Sequence, residues 1–222
     1  MIPGPDQVVA CPRCEAEASY STMISGNNFG ARYWTDGRMI APMLVEIPAI
    51  VKCPSCGHVF WLADAREVRE EPFPTPESIF GADGNITLPE ATCPSLAEPT
   101  ESEYYAALAA GLARNAEEER AARMLAWWRR NDALRDDEAS GPPPLEGGAW
   151  RVNLEALLGL LDTDDDRDRM ACGEILRQLG RFDEAGKLLE QIREDGLAWA
   201  VKQVRAHCEK RDAELRELLV ER

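Results

Sequence analysis

Cys11 and Cys14, and again Cys53 and Cys56, form two C-x-x-C pairs, the feature of this chain best suited to chemistry. They lie in the runs Cys11-Pro12-Arg13-Cys14 and Cys53-Pro54-Ser55-Cys56-Gly57-His58. Four thiolates supplied two by two close a tetrahedral shell around one Zn²⁺. The proline after each first cysteine stiffens the turn, and Gly57 permits the reversal into a strand. With all four positions filled by cysteine no coordination site stays open, so the expected metal is structural, one Zn²⁺ per chain. The competing chemistry is dithiol redox. A redox pair normally opens a helix in a thioredoxin-like βαβ unit, and no such pattern surrounds either pair. His58 is the alternative ligand; the reading places it in the strand beyond the second pair.

The elements that must hold these cysteines read as β-structure. The pairs are separated by 38 residues, Glu15 to Lys52, where compact zinc ribbons have about 15–20. The insert must therefore carry structure of its own. Arg32-Tyr33-Trp34-Thr35, Asp36-Gly37 and Arg38-Met39-Ile40 predict a hairpin with a D-G turn. Met43-Leu44-Val45 and Ile50-Val51 predict a further strand or two, and Val59-Phe60-Trp61-Leu62 the strand after the second pair. The expected fold class is α+β: a small zinc-ribbon-like antiparallel domain over residues 1–62, a Pro-rich acidic connector over 63–100, and a helical domain over 101–222. Pro72, Pro74, Pro76, Pro89, Pro94 and Pro99 argue against any long regular element in the connector.

Helix signals dominate the rest. Thr100-Glu101-Ser102-Glu103 is a capping box, and Asn115-Ala116-Glu117-Glu118 a second N-cap. Gly141-Pro142-Pro143-Pro144 is a break, and Asn153 reads as the cap of the helix through Leu161. Two helices follow over 165–179 and 183–194, then helix again over 197–219. The acids Asp162, Asp164, Asp165 and Asp166 fail the calcium-loop template, whose glycine would fall at Arg167 and whose closing glutamate at Gly173. They suit the first turn of a helix instead.

Met170 to Leu189 resembles a tetratricopeptide repeat. Gly173 stands where a small residue lets the second helix approach, Gly180 ends the first helix, Phe182 is the aromatic of the turn, and Ala185 and Leu189 follow in the second helix. The resemblance covers about 30 residues and implies a protein-binding scaffold of stacked helical pairs. Most of the chain also resembles a loose family of uncharacterised bacterial proteins that join an N-terminal zinc ribbon to repeat-like helices. The shared cues are C-P-x-C, the run Phe29 to Gly37, C-P-x-C-G followed by Phe60-Trp61, and the late L-G-x-F-D-E-A. No activity comes with that likeness.

Other residues are candidate contacts. Arg32, Tyr33, Trp34, Arg38 and Lys52 mix cations with aromatics, a surface able to stack a base or hold a phosphate. Trp127 and Trp128 are adjacent and cannot share a helix face, so one of them is a candidate exposed contact. Trp150 and Trp199 read as packing residues, and Cys172 as buried. No nucleophile–base pattern accompanies His58 or His207, and no catalytic residue is assigned.

Charge narrows the partners. The net charge is −15 and the pI about 4.6, which disfavours nucleic acid and anionic lipid. No apolar run is long enough for a bilayer. Met1 to Asp6 has neither the basic region nor the apolar core of a secretory signal. A cytoplasmic location is expected, in which the sequon Asn85-Ile86-Thr87 has no role. The expected function is a non-enzymatic adaptor that binds another protein through its helices and through Arg32, Tyr33, Trp34, Arg38, Trp127 or Trp128. The alternative is a zinc-ribbon nucleic-acid-binding or transcription accessory factor.

Overall fold

The computed structural model of the chain describes residues 1–71, 92–135 and 148–220. In chain order its strands are β1 (Ile2–Pro3), β2 (Asp6–Ala10), β3 (Glu17–Tyr20), β4 (Met23–Ser25), β5 (Arg32–Trp34), β6 (Met39–Ile40), β7 (Ile50–Lys52), β8 (Val59–Trp61), β9 (Arg66–Glu71) and β10 (Glu217–Leu218). Its helices are α1 (Glu101–Ala109), α2 (Ala116–Arg135), α3 (Gly148–Leu158), α4 (Asp166–Gln178), α5 (Phe182–Leu189) and α6 (Ala198–Glu209). Antiparallel strands fill the N-terminal part and helices the C-terminal part, an α+β arrangement. The chain divides into two units, one of Met1–Gly30 with Ala41–Pro99, the other of Ala31–Ile40 with Thr100–Arg222.

In the first unit Val8, Val9 and Ala10 are buried on β2, the middle strand of the antiparallel sheet β3-β2-β9. The β7–β8 hairpin pairs Ile50 with Trp61 and Lys52 with Val59, so the second C-x-x-C pair forms its turn. Residues 94–97 tie these pieces together. The Ser19 N–H donates to Pro94 O at 3.0 Å, and Lys52 and Ala97 exchange two N–H···O bonds of 2.8 and 3.1 Å. Strand structure therefore runs past residue 62 into the stretch read as a connector. β9 supplies the partner that the backbone of β2 requires on that side. Its exposed charged side chains suit an outer strand. Met43-Leu44-Val45 is not a strand; the Leu44 N–H bonds Ala41 O at 3.1 Å and the chain turns there. The Pro-rich residues 72–91, the sequon at Asn85 and the break at Gly141 to Pro144 lie outside the described residues.

In the second unit the sequence caps are in place. Thr100 and Glu103 form the reciprocal capping box of α1, and the Glu118 N–H donates to Asn115 Oδ1 at 2.9 Å. Asp165 caps α4 through the N–H groups of Arg167 and Asp168. One apolar cluster gathers Trp127, Trp150, Leu154, Leu157, Cys172 and Ile175. A second gathers Leu176, Ala185, Leu189, Ala200, Val204 and Leu218. Asn153 is no cap. It is buried inside α3, where its Nδ2 donates to Arg123 O at 3.0 Å and ties α3 to α2.

Helix does not continue to residue 219. α6 stops at Glu209, Arg211 takes φ +54°, and β10 pairs with β5. The cause is tertiary. The buried Arg177 guanidinium donates to the carbonyls of Asp212 and Glu214, and an open strand edge on β5 accepts β10. Among the described residues no helix is long and apolar enough to cross a membrane.

Candidate metal centre

The two knuckles have the same backbone design. The Glu15 N–H donates to Cys11 O and the Gly57 N–H to Cys53 O, both at 2.9 Å. The Cys11 N–H donates to Ala16 O at 3.0 Å and the Cys53 N–H to His58 O at 2.9 Å. Each turn is closed by a residue at positive φ, Glu15 at +58° and Gly57 at +70°. Glycine accepts that conformation freely and glutamate does not. Its use at Glu15 marks a turn that the surrounding hydrogen bonds impose.

This design brings all four sulfurs within 4.8 Å of one another. Cys11 Sγ lies 3.8 Å from Cys56 Sγ, and Cys14 Sγ 3.7 Å from Cys53 Sγ. A tetrahedron with metal–sulfur bonds of ~2.3 Å has edges of about 3.8 Å. The cysteines thus stand at a separation that fits a tetrahedral thiophilic ion such as zinc. Cys11 and Cys53 are buried, packed with Val51 and Phe60, whereas Cys14 and Cys56 are exposed. The Ala16 N–H points to Cys14 and the His58 N–H to Cys56, second-layer donors that the cysteine spacing alone does not reveal.

Without metal the thiols share protons unevenly. The His58 N–H is the chief influence holding Cys56 down at about 7. At Cys14 the Ala16 N–H pulls downward, but Cys56, burial, Cys11 and Cys53 together raise the thiol to about 12. A bound cation would displace these protons, because only thiolates ligate. His58 stacks on Phe60 with ring centroids 5.8 Å apart, just ahead of β8.

The residues expected to touch a partner belong to the second unit, where internal contacts engage them. Trp34 is 6% exposed and Trp127 fully buried, so neither presents a surface. Trp127 Nε1 donates to Gln178 at 2.9 Å. Trp128 is half-buried, its Nε1 donates to Asp36 O at 3.0 Å, and Arg38 lies over its ring. Tyr33 meets Trp199 edge to face, and Arg32 pairs with Glu217 at 2.6 Å. Arg32 alone of the six is largely exposed; Tyr33, Arg38 and Trp128 are partly so.

What holds the hairpin was not visible in the sequence. The Asp36 carboxylate is buried against Arg135 and accepts from Asn131 Nδ2 at 2.8 Å. Burial raises its pKa although Arg135 and Asn131 pull the other way. Thr35 bonds Glu174, itself paired with Arg177, and both charged side chains are fully buried. The compositional hint was an Asp-Gly turn set directly between Thr35 and Arg38, both polar. No protein-family model, no curated protein and no solved structure matches this chain.

Proposed function

We propose that the chain is a non-enzymatic, zinc-stabilised adaptor that binds another protein. The observation that carries the metal half is the tetrahedral spacing of Cys11, Cys14, Cys53 and Cys56. Four protein thiolates complete the shell, so the ion would organise the fold and leave no position for substrate.

The adaptor half rests on the helical pair. Gly173 lets α4 lie close against α5: a Cβ there would fall 2.5 Å from Leu189 Cδ2. Gly180 ends the first helix at φ +79° and Phe182 begins the second. These features support the tetratricopeptide-like reading, and the net charge of −15 favours a basic partner surface.

The nucleic-acid alternative has less in its favour. The cysteine-bearing unit does not include Arg32 or Arg38, and its sequence carries twelve Asp and Glu against four Lys and Arg. Such a surface repels phosphates.

The test is capture of zinc-loaded protein from a lysate of its own organism, with elemental analysis of the bait and identification of bound protein and nucleic acid. One zinc per chain and a stoichiometric protein partner are expected. Nucleic acid retained without protein, lost in Arg32→Ala/Arg38→Ala, would replace the adaptor with the alternative.

A further inference from the structure

Each sulfur that an oxidant can reach lies close to a sheltered sulfur in the other knuckle. Exposed Cys14 lies 3.7 Å from buried Cys53, and exposed Cys56 lies 3.8 Å from buried Cys11. Each close pair therefore joins one accessible cysteine to one sheltered cysteine across the two halves of the site. The knuckle tips around the accessible pair, Pro12 to Glu15 and Pro54 to Gly57, are exposed throughout.

We propose that this centre is a peroxide-responsive modification site that exchanges its metal for two cross-knuckle disulfides, Cys11–Cys56 and Cys14–Cys53. The inference rests on the reading that these cysteines hold zinc. The chemistry balances. The Cys14 thiolate attacks one oxygen of hydrogen peroxide, the O–O bond breaks, and a sulfenic acid and hydroxide form. The Cys53 thiolate then attacks that sulfur, the S–O bond breaks, and a disulfide and a second hydroxide result. Cys56 and Cys11 react likewise. Two peroxides are reduced, four thiolates are oxidised, and one Zn²⁺ leaves because no thiolate remains to hold it.

The pairing has a structural consequence. Disulfides within each C-x-x-C pair would leave the knuckles unlinked and part Cys11 from Cys53, which share a buried cluster with Val51 and Phe60. Cross-knuckle disulfides keep the 38-residue loop closed. The oxidised, zinc-free unit would retain its strands where simple metal loss would not.

The experiment uses the full chain, loaded with zinc and assayed for bound metal before oxidation. Hydrogen peroxide is titrated against zinc release, read with a chromogenic chelator, and the products are mapped by non-reducing tryptic digestion and mass spectrometry. Trypsin cuts after Arg13, Arg32, Lys52 and Arg66, placing Cys11, Cys14 and the Cys53/Cys56 pair on three peptides. The expected result is one zinc released per two peroxides and all three peptides joined, with fragmentation giving Cys11–Cys56 and Cys14–Cys53. Thiol reductant with zinc should restore the starting state. Cys172 and Cys208, 2% and 6% exposed, should stay reduced.

A Cys11 peptide joined only to the Cys14 peptide, a Cys11–Cys53 or Cys14–Cys56 bond, or zinc retained in excess peroxide would overturn the proposal. A chain that binds no zinc would overturn the metal reading instead. The disulfide map of that metal-free protein would still decide the pairing.

Discussion

Thr35 Oγ1 donates to Glu174 Oε1 at 2.7 Å, joining the hairpin between the two cysteine pairs to helix α4. Both residues are buried, and Arg177 closes the group with Nε–Oε2 and Nη2–Oε1 bonds of 2.7 Å. One turn residue away, Asp36 meets Arg135 and Asn131. A hairpin that departs from the cysteine-bearing strands thus has its polar anchors in the helical unit.

Breaking the Asp36 anchor should be costly. Asp36→Ala removes one of the two carboxylates paired with the buried Arg135, leaving Asp132, and should destabilise the helical unit by roughly 1–3 kcal/mol. Replacing Arg135 with Met in the same chain removes the less fully paired charge and should recover part of that loss. Urea unfolding followed by circular dichroism measures both. A double variant no more stable than Asp36→Ala would show that the pair is not what holds the turn.

Metal removal should divide the chain where the two units divide. Cys53→Ser should abolish zinc binding and unfold Met1–Gly30 with Ala41–Pro99, since metal binding supplies on the order of 10 kcal/mol in small zinc domains. Amides of Ala31–Ile40 should keep their protection against hydrogen exchange along with the helices. Loss of helical signal in the same step would mean that the two units share one cooperative core.

Gly173→Ala tests the close approach of α4 and α5. The added methyl would fall 2.5 Å from Leu189 Cδ2 and 2.6 Å from Cγ. Overpacking of this kind costs about 1–3 kcal/mol, offset by up to about 1 kcal/mol of helix propensity. Net destabilisation is expected, and Leu189→Ala, which removes both clashing carbons, should abolish the extra cost of the methyl in the same chain. Thermal melts of the four chains of this cycle give the coupling directly; additive effects would sink the contact.

Asp166 supplies the pH dependence. Its carboxylate accepts the Arg193 and Glu194 N–H groups, both at 2.7 Å, and also pairs with Arg169. The Arg193 N–H leads the interactions that hold its pKa below the ordinary aspartate value of 3.8. A folded pKa below the unfolded one means that the contribution is present at neutral pH. It fades as pH falls through 3.8 toward the lower folded value. Exchange protection of the Arg193 and Glu194 amides should drop across that acid window, and Asp166→Asn should weaken it at neutral pH. Protection indifferent to both changes would refute the assignment.

Features that depend on a few neighbouring residues were legible in the sequence. The two C-x-x-C turns, the Asp36-Gly37 reversal, the Thr100/Glu103 box, the Asn115 cap and the close approach at Gly173 are each set by local backbone chemistry or helical spacing. They need no knowledge of distant partners. Tertiary structure alone decided where the hairpin belongs, because its anchors come from far along the chain. Thr35 and Glu174 are 139 residues apart, and Arg32 and Glu217 are 185 apart. The same distance hid β10, whose residues read as helix until the edge of β5 and the Arg177 guanidinium drew them into extended form. It also hid β9, a charged run that became a strand because β2 had unpaired backbone to offer. Trp34 and Trp127 looked like contact residues for the same reason. Aromatic type is written in the sequence, but burial is the sum of everything that packs against it.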